Sequence, residues 1–354
     1  MKIAQIAPLY EAVPPRLYGG TERVVSWVTD ALVDLGHDVS LFAAADARTK
    51  AKLIPIRDQS IRLDPAPLKS DFAAHLSMLH EVAKCVDDFD ILHFHVDLLH
   101  FPMFERVAGR TVTTLHGRLD LKDLSGVYDR WPQYPLVSIS HHQRRALPNA
   151  SWAATVHHGL PGGLLQPGPD RPRDYLAFLG RISPEKRPDR AIEIAKRTGI
   201  KLRIAAKVDA VDSAYFRELI APMMQDAAVE FVGEISDDQK AEFLSGAMAV
   251  LFPIDWPEPF GLVMIEAMAC GTPVIAWPNG AVPEVIENGV TGILVNSLDE
   301  AVDAVASARA LNRAKIRHVF ERRFSAEVMA RSYQHLYARL LHATREPKAV
   351  LRTA

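Results

Sequence analysis

Hydrophobic residues in the first half of the chain fall into short runs of strand length, separated by turn residues or by stretches with helical spacing. One predicted helix runs from Gly19 to about Leu35, and another lies near 71–86. No pair of runs carries the signal of a β-hairpin. Alternating strands and helices therefore predict a parallel sheet covered by helices on both faces. The predicted strands of this half are 2–8, 38–43, 91–95, 111–115 and 137–140, and residues 154–158 close it.

The same alternation begins again after residues 159–173, whose glycines and prolines are typical of an interdomain linker. Ser325 can cap a terminal helix. The apolar face of that helix holds Met329, Tyr333, Leu336, Tyr337 and Leu340. A chain of 354 residues has the length of about two domains. We predict domains at 1–165 and 166–324, followed by the terminal helix at 325–354. The predicted strands of the second half are 175–179, 201–206, 229–232, 249–253, 272–277 and 293–295.

Composition argues against several classes of function. The 41 Lys and Arg residues against 43 Asp and Glu leave a formal net charge of −2, so no basic field favours nucleic acid as a partner. No apolar run reaches the ~18 residues of a membrane span, and the N-terminus lacks a signal pattern. Cys85 and Cys270 lack C-x-x-C spacing, which predicts reduced thiols in a cytoplasmic protein.

The most informative stretch joins an apolar strand to a buried helix, 262–269, through a loop that contains Pro257 and Pro259. In a doubly wound sheet such a loop lies at the carboxyl edge of the strands, where ligands bind. Gly261 has no Cβ, so a ligand can approach the backbone there. The free N–H groups at the start of the helix can then face an anion.

Two acidic residues, Glu258 and Glu266, frame this loop and helix with seven residues between them. A carboxylate accepts hydrogen bonds from neighbouring hydroxyls, so each glutamate can hold a sugar ring while the amides between them hold phosphate. The alternative is a structural role, in which each acid caps or pairs locally. Two glutamates at this spacing, taken alone, favour that alternative.

The string E-P-F-G-L-V-M-I-E from Glu258 to Glu266, followed by A-M-A-C-G-T-P-V-I, resembles the E-x7-E motif of retaining glycosyltransferase family 4. The resemblance implies an α/β protein with the GT-B fold, in which two Rossmann-like domains with parallel sheets face each other across a cleft. The donor then lies on the second domain and the acceptor on the first, and the terminal helix crosses back to the first domain. In the family the first glutamate contacts the donor sugar and the second the nucleotide ribose. The amides implied to hold the diphosphate are those of Phe260, Gly261, Leu262 and Val263.

Other positions also match family motifs. Arg181 and Lys186 fit the pattern G-R-x-x-x-x-K, and their side chains suit a diphosphate. His116 follows a predicted strand at its carboxyl end, where the family carries a histidine that reaches the donor sugar; a structural, capping histidine is the rival interpretation.

Two glycine-containing turns complete the resemblance. Gly19 and Gly20 stand where the family has a glycine pair between diphosphate and acceptor. Gly233 and Ile235 stand where backbone groups hold the base. Either turn could equally be an ordinary connection between a strand and a helix.

Two motifs of metal-binding type are interpreted as structural. Asp88 and Asp90 have D-x-D form but precede a strand, and His93 and His95 share a strand face without a nearby acid or cysteine to complete a ligand set. Neither a G-x-G-x-x-G nor a P-loop motif is present. We therefore predict no metal site and no cofactor.

The resemblance implies a retaining, metal-independent hexosyltransferase. It would move a sugar from a nucleotide-diphosphate donor, expected to be UDP-linked, to a hydroxyl of a glycan, lipid-linked or small-molecule acceptor. Aromatic residues at 117–135 could stack on an acceptor ring or pack locally. A basic helix is predicted to start at 141–145; a solvated face is its main interpretation, with weak peripheral membrane contact as the alternative. Other candidate functions are a sugar-nucleotide 2-epimerase, a phosphorolytic relative and a non-catalytic nucleotide-sugar binding subunit.

Overall fold

The computed structural model describes residues 1–16, 19–169, 173–225 and 228–345. In this part of the chain the strands form two sheets. The first sheet contains β1 (Lys2–Ile6), β2 (Asp38–Ala44), β3 (Lys52–Arg57), β4 (Ile91–Phe94), β5 (Thr111–Leu115), β6 (Leu136–Ser138) and β7 (Trp152–Thr155). The second contains β8 (Tyr175–Arg181), β9 (Lys201–Lys207), β10 (Val229–Gly233), β11 (Ala249–Phe252), β12 (Val274–Ala276) and β13 (Gly292–Leu294).

Each sheet is parallel and doubly wound. The strand orders are β3-β2-β1-β4-β5-β6-β7 and β10-β9-β8-β11-β12-β13. The order in which successive strands are added to the sheet reverses between β1 and β4 in the first sheet and between β8 and β11 in the second. In open α/β sheets, ligands bind outside the carboxyl ends of the strands at such switch points. The α/β fold with two parallel sheets is as predicted.

Helices cover both sheets. They are α1 (Gly20–Asp34), α2 (Asp71–Lys84), α3 (Phe101–Phe104), α4 (Leu124–Arg130), α5 (Pro188–Thr198), α6 (Ser213–Tyr215), α7 (Ala221–Met223), α8 (Asp237–Ser245), α9 (Leu262–Ala269), α10 (Val282–Val285), α11 (Leu298–Arg309), α12 (Arg313–Arg323) and α13 (Ala326–Arg345). A π-helical segment, Phe216–Ile220, joins α6 to α7.

One strand was missed, and one local prediction is wrong. The edge strand β3 was not predicted; its sequence K-L-I-P-I-R contains a proline, which argues against a central strand but is tolerated at a sheet edge. In place of the basic helix predicted to start at 141–145, the structure has one 3₁₀ turn, Gln143–Ala146. Pro148 follows closely, and a proline disfavours helical geometry at the residue before it.

Of the two roles considered for the aromatic residues at 117–135, the structure has local packing for Tyr128, Trp131 and Tyr134. This segment contains the short helix α4. Tyr128 and Tyr134 are buried, the Tyr134 hydroxyl donates to the carbonyl of Phe101, and the Trp131 indole donates to Glu105 at 2.9 Å.

The terminal helix α13 lies against the first half of the molecule. Met329, Tyr333 and Leu336 are buried, and the Tyr337 hydroxyl lies 2.7 Å from Nδ1 of His93 in β4. The two segments that connect the halves, near Leu160 and near Ser325, lie side by side. Leu160 N–H donates to the Phe324 carbonyl, and Ala326 N–H donates to the Leu160 carbonyl. The predicted terminal residues 346–354 and linker residues 170–172 lie outside the described part. No described helix has the length and hydropathy needed to cross a membrane.

Candidate active site

A rigid loop follows β11 at the carboxyl edge of the second sheet and leads into α9. Gly261 caps α9 in the left-handed region, at φ 86°, and a Cβ there would stand 2.7 Å from Cε of Met264. Only glycine adopts this conformation without strain. Helix geometry leaves the first N–H groups of α9 without an acceptor in the helix, so they can face an anion, although Met264 N–H donates to the carbonyl of the capping Gly261 at 3.1 Å.

Glu258, in this loop, forms a partly buried ion pair with Lys186. One carboxylate oxygen, Oε2, accepts from both Lys186 Nζ and the Trp256 indole, the latter at 3.1 Å. Lys186 Nζ also lies 5.1 Å from the Trp256 ring centroid and 5.6 Å from that of Phe252. Folding therefore brings together two predicted residues that are 72 positions apart.

Glu266, on α9, is paired with a lysine that the sequence did not single out. Lys240 Nζ, on α8, donates to Glu266 Oε1 at 2.7 Å and lies 3.4 Å from Asp237. Asp237 in turn pairs with Arg23 of α1, across the two halves. Lys240 was missed because a single lysine inside a helix carries no motif.

A cleft with a cavity volume of about 130 Å³ lies between the halves. Four residues at its edge, Arg23, Lys207, Glu234 and Lys240, are charged and were not predicted. The predicted residues among its lining are Gly19, Gly20, Ile235, Leu262, Val263 and Glu266.

Arg181 does not line that cleft. Its guanidinium, at the end of β8, contacts Glu185 at 2.9 Å, Asp209 at 3.5 Å and Asp212 at 3.8 Å. The neighbouring Gly180 does line the cleft. Gly233, at φ 84°, ends β10 just before the lining residues Glu234 and Ile235.

His116 stands at the carboxyl end of β5, as predicted. Its Nε2 is 2.8 Å from Nδ1 of His95, and its ring stacks on that of His158 with centroids 5.2 Å apart. His158 in turn contacts the Phe260 ring, with centroids 5.0 Å apart, which links this histidine group to the loop before α9. Burial lowers the pKa of His116 to about 3, so the imidazole is neutral near pH 7.

A second contact between the halves centres on Glu284 of α10. Its carboxylate accepts from the backbone N–H groups of His141 and His142 at 2.7 and 2.6 Å, and lies 3.2 Å from His157 Nε2. An adjoining cavity of about 450 Å³ is lined by residues of both halves, among them Arg145 and Trp256.

The two motifs interpreted as structural have protein partners. Asp90 accepts from the backbone N–H of Lys2 at 2.8 Å, at the amino end of β1 and so at the edge opposite the cleft. His93 bonds Tyr337 and Thr114. Among residues 1–16, 19–169, 173–225 and 228–345, no three His, Cys, Asp or Glu side chains form a group that could hold a metal ion.

Comparison with protein families gives two matches that follow one another along the chain. Residues 18–160 match Glycosyltransferase Family 4, and residues 166–323 match Glycosyl transferases group 1.

Two proteins of similar sequence are named as glycosyltransferases. D-inositol 3-phosphate glycosyltransferase of Mycolicibacterium paratuberculosis is 29% identical over 277 residues, which are 65% of this chain and 63% of that protein. Phosphatidyl-myo-inositol mannosyltransferase of Mycolicibacterium smegmatis is 27% identical over 336 residues, 87% of this chain and 83% of that protein. The chain thus spans slightly less than two thirds of the first relative.

Several solved structures share the fold. AviGT4, a glycosyltransferase involved in avilamycin A biosynthesis, superimposes with a TM-score of 0.73 at 24% identity, over 97% of this chain and 98% of that one. Sucrose-phosphate synthase from Thermosynechococcus elongatus gives 0.77 at 21%, over 97% and 99%. HepE of Anabaena, solved in complex with UDP, gives 0.71 at 17%, over 96% and 100%.

Proposed function

The chain belongs to glycosyltransferase family 4 and has the GT-B fold, and from this premise we propose that it transfers a sugar from a nucleotide-diphosphate donor to a hydroxyl acceptor. The observation that carries the proposal is the shape of the donor side. Two partly buried ion pairs, Lys186–Glu258 and Lys240–Glu266, stand at the two ends of the amide-rich start of α9.

The start of α9 and Lys186 would hold the diphosphate. Charge collects on the leaving diphosphate as the glycosidic bond breaks, and fixed dipoles and cations aimed at that charge lower the barrier. Binding there would place Lys186 between Glu258 and the phosphate, so that one ammonium serves both. The proposed amide donors belong to Phe260, Gly261, Leu262 and Val263.

Arg181 would act at the same diphosphate, but three carboxylates already surround its guanidinium. Its guanidinium is held by Glu185, Asp209 and Asp212. A direct contact with phosphate therefore requires exchange of one carboxylate for the ligand. Without that exchange, Arg181 adds positive potential and holds the loop that carries Lys186.

The two glutamates would bind hydroxyls. Lys186 and Trp256 both use Oε2 of Glu258, so Oε1 remains to accept from the donor sugar. Lys240 uses Oε1 of Glu266, so Oε2 remains for the ribose. Gly233 and Ile235 would present backbone groups to the base, which we propose to be uracil.

The first half would contribute the acceptor side. Gly19 and Gly20 line the cleft opposite α9, and at Gly20, whose Cβ position lies 3.8 Å from Cδ1 of Leu262, the missing side chain would leave room for the diphosphate and the acceptor. His116 would face the far side of the donor sugar. We propose that transfer retains the anomeric configuration and requires neither a metal nor a cofactor. We assign no residue as a nucleophile.

A screen of nucleotide sugars against glycan, lipid-linked and small-molecule acceptors, read by mass spectrometry, tests the proposal. We expect transfer from a UDP-sugar that survives EDTA, and NMR of the product should show the donor's anomeric configuration. Strict Mg²⁺ dependence would contradict the metal-independent mechanism. Turnover without an acceptor would indicate an epimerase, phosphate-dependent turnover a phosphorolytic enzyme, and binding without turnover a binding subunit.

A further inference from the structure

The first half of the molecule contains a buried chain of hydrogen bonds that the proposed reaction leaves unused. His93 and His95, the histidine pair that the sequence places on one face of β4 and just beyond it, are fully or almost fully buried, with ring centroids 4.1 Å apart. Nδ1 of His95 lies 2.8 Å from Nε2 of His116, and Nε2 of His95 lies 2.8 Å from Oε1 of Gln5. Both ring nitrogens of His95 are therefore engaged.

The Gln5 carbonyl oxygen, at one end of this series of hydrogen bonds, determines which group donates in each of them. A carbonyl oxygen only accepts, so Gln5 Oε1 requires the proton of His95 to be on Nε2. Burial, reinforced by the neighbouring histidines, holds the pKa of His95 well below its usual value, so the ring is neutral and its Nδ1 must accept. His116 therefore donates from Nε2, and its own Nδ1 carries a lone pair.

The terminal helix closes the same chain. Gln5 Nε2 lies 3.5 Å from the Tyr337 hydroxyl, which is 2.7 Å from Nδ1 of His93. Nε2 of His93 contacts Thr114 Oγ1 at 2.8 Å, and this hydroxyl lies 2.8 Å from that of Tyr333. Two tyrosines of α13 thus hold the groups that orient His95.

We propose that His95, backed by Gln5, is a positioning residue that keeps His116 in its Nε2–H tautomer and so presents Nδ1 of His116 as a hydrogen-bond acceptor for a substrate hydroxyl. Nδ1 of His116 is buried and has no hydrogen-bond partner among the described residues. An unsatisfied buried acceptor costs about 1–3 kcal/mol, and a ligand hydroxyl would remove that cost. The inference rests on the proposed function only in assigning the partner of Nδ1 to the substrate.

The groups that face His116 are themselves unable to supply charge near neutral pH. His95 approaches it from the end of β4 and His158 from the segment after β7. Burial lowers the pKa of each well below its usual value. His116 is thus surrounded by neutral rings, and its tautomer depends on hydrogen bonding.

NMR of protein labelled with ¹⁵N-histidine tests the tautomer without reference to activity. We expect His116, assigned by its loss in His116→Gln, to show the Nε2–H pattern near neutral pH. In His95→Leu, which lacks the acceptor, the pattern should become mixed or change to Nδ1–H. An Nδ1–H pattern in the unchanged protein would overturn the proposal, because it would mean that the chain of donors runs in the opposite direction.

Kinetics add a second readout once a donor and acceptor are known. His95→Leu should lower kcat about 10–100-fold, the range seen when an orienting partner of a functional side chain is removed, with a smaller change in the donor KM. His95→Asn places a carbonyl oxygen near the position of Nδ1 and should restore most of kcat. Equal kcat for His95→Leu and the unchanged protein, with the tautomer retained, would also overturn the proposal.

His100→Leu is the matched control. His100 is equally buried in the same half, with Nε2 3.1 Å from Thr113 Oγ1. This substitution should lower the melting temperature without changing the His116 pattern. If His95→Leu does not fold, the unchanged protein and His95→Asn still decide the tautomer. Failure to find any sugar transfer would contradict the proposed function and leave the NMR result intact.

Discussion

At the scale of single residues, the proposed donor side is organised by lysine–glutamate pairs. Lys186 and Glu258 are both largely buried and partner each other, while Lys240 does the same for Glu266. A buried charge without a partner is costly, so each pair keeps its cation in place before any ligand arrives. This preorganisation suits a site that must stabilise negative charge as it develops.

Lys186→Ala tests the diphosphate role. We expect kcat/KM for sugar transfer to fall about 10²–10³-fold, because removal of one donor from such a site typically costs about 2.7–4 kcal/mol. Lys201→Ala is the control, since Lys201 is exposed at the amino end of β9, at the edge opposite the cleft. Equal activity of the two variants would contradict the assignment of Lys186.

At the scale of elements, the loop before α9 is held in shape by glycines. The backbone of Gly280 passes against that of Glu258, and a Cβ at Gly280 would overlap the Glu258 amide nitrogen and carbonyl oxygen. Ala281 N–H also donates to the Glu258 carbonyl at 2.9 Å. The segment after β12 thus forms a template for the loop that carries Glu258.

Gly280→Ala should distort this template. Gly199→Ala is the matched control, because Gly199 has almost the same φ, 66° against 65°, but nothing lies within 4 Å of its Cβ position. Both variants pay the cost of left-handed backbone, about 1–2 kcal/mol, and only Gly280→Ala also displaces Glu258. We expect Gly280→Ala to lose most transfer activity at a temperature where Gly199→Ala retains it. Parallel losses in both variants would argue against the template.

At the scale of the whole molecule, Glu284 connects the two halves. Burial alone would raise its pKa, but hydrogen bonds from His157 and from the backbone N–H groups of His141 and His142 hold the pKa of Glu284 at about 2. The carboxylate therefore stays charged across the physiological range. It caps a turn of one half from a helix of the other.

Glu284→Ala should loosen the contact between the halves. Two backbone donors lose a charged partner, and a hydrogen bond to a charged group contributes about 1.5–3 kcal/mol. We expect a larger radius of gyration in small-angle X-ray scattering and a lower urea midpoint. Glu287→Ala is the control, since Glu287 is more exposed and pairs with Arg323. An unchanged radius of gyration in Glu284→Ala would show that other contacts close the cleft.

Acid should destabilise the protein from pH 6.5 downward. Burial lowers the pKa of His93, His95, His100 and His158 well below 6.5 and that of His116 to about 3. The unfolded chain binds protons below pH 6.5 that the folded chain does not, so stability is complete above that pH and falls as the pH drops. Each such histidine contributes about 1.4 kcal/mol per pH unit. Glu284 adds to the loss only between about pH 4.5 and 2.

Urea titrations between pH 7.5 and 5 measure this slope. In His100→Gln the slope below pH 6.5 should decrease by about 1.4 kcal/mol per pH unit, because one proton fewer is involved. His318→Gln, which removes an exposed histidine on α12, should leave the slope unchanged. Equal slopes in all three proteins would contradict the burial argument.

The amino-acid sequence by itself determined the architecture and the position of the donor loop. Periodicity, glycines, prolines and motif spacing are local properties, so they indicate α9, the glycine before it and the alternation of strands and helices without knowledge of distant contacts. The edge strand β3 and the 3₁₀ turn at Gln143–Ala146 were missed because their local signals are weak or mixed.

Only the tertiary structure decided which side chains meet. Lys186 reaches Glu258 across 72 positions, His93 reaches Tyr337 across 244, and Arg23 pairs with Asp237 across 214. It also enclosed Arg181 among carboxylates and aligned His95 with His116. Such partners depend on how sheets and helices are placed in three dimensions. Residues this far apart in sequence come within hydrogen-bond distance only through folding, so their spacing along the chain does not predict the contact.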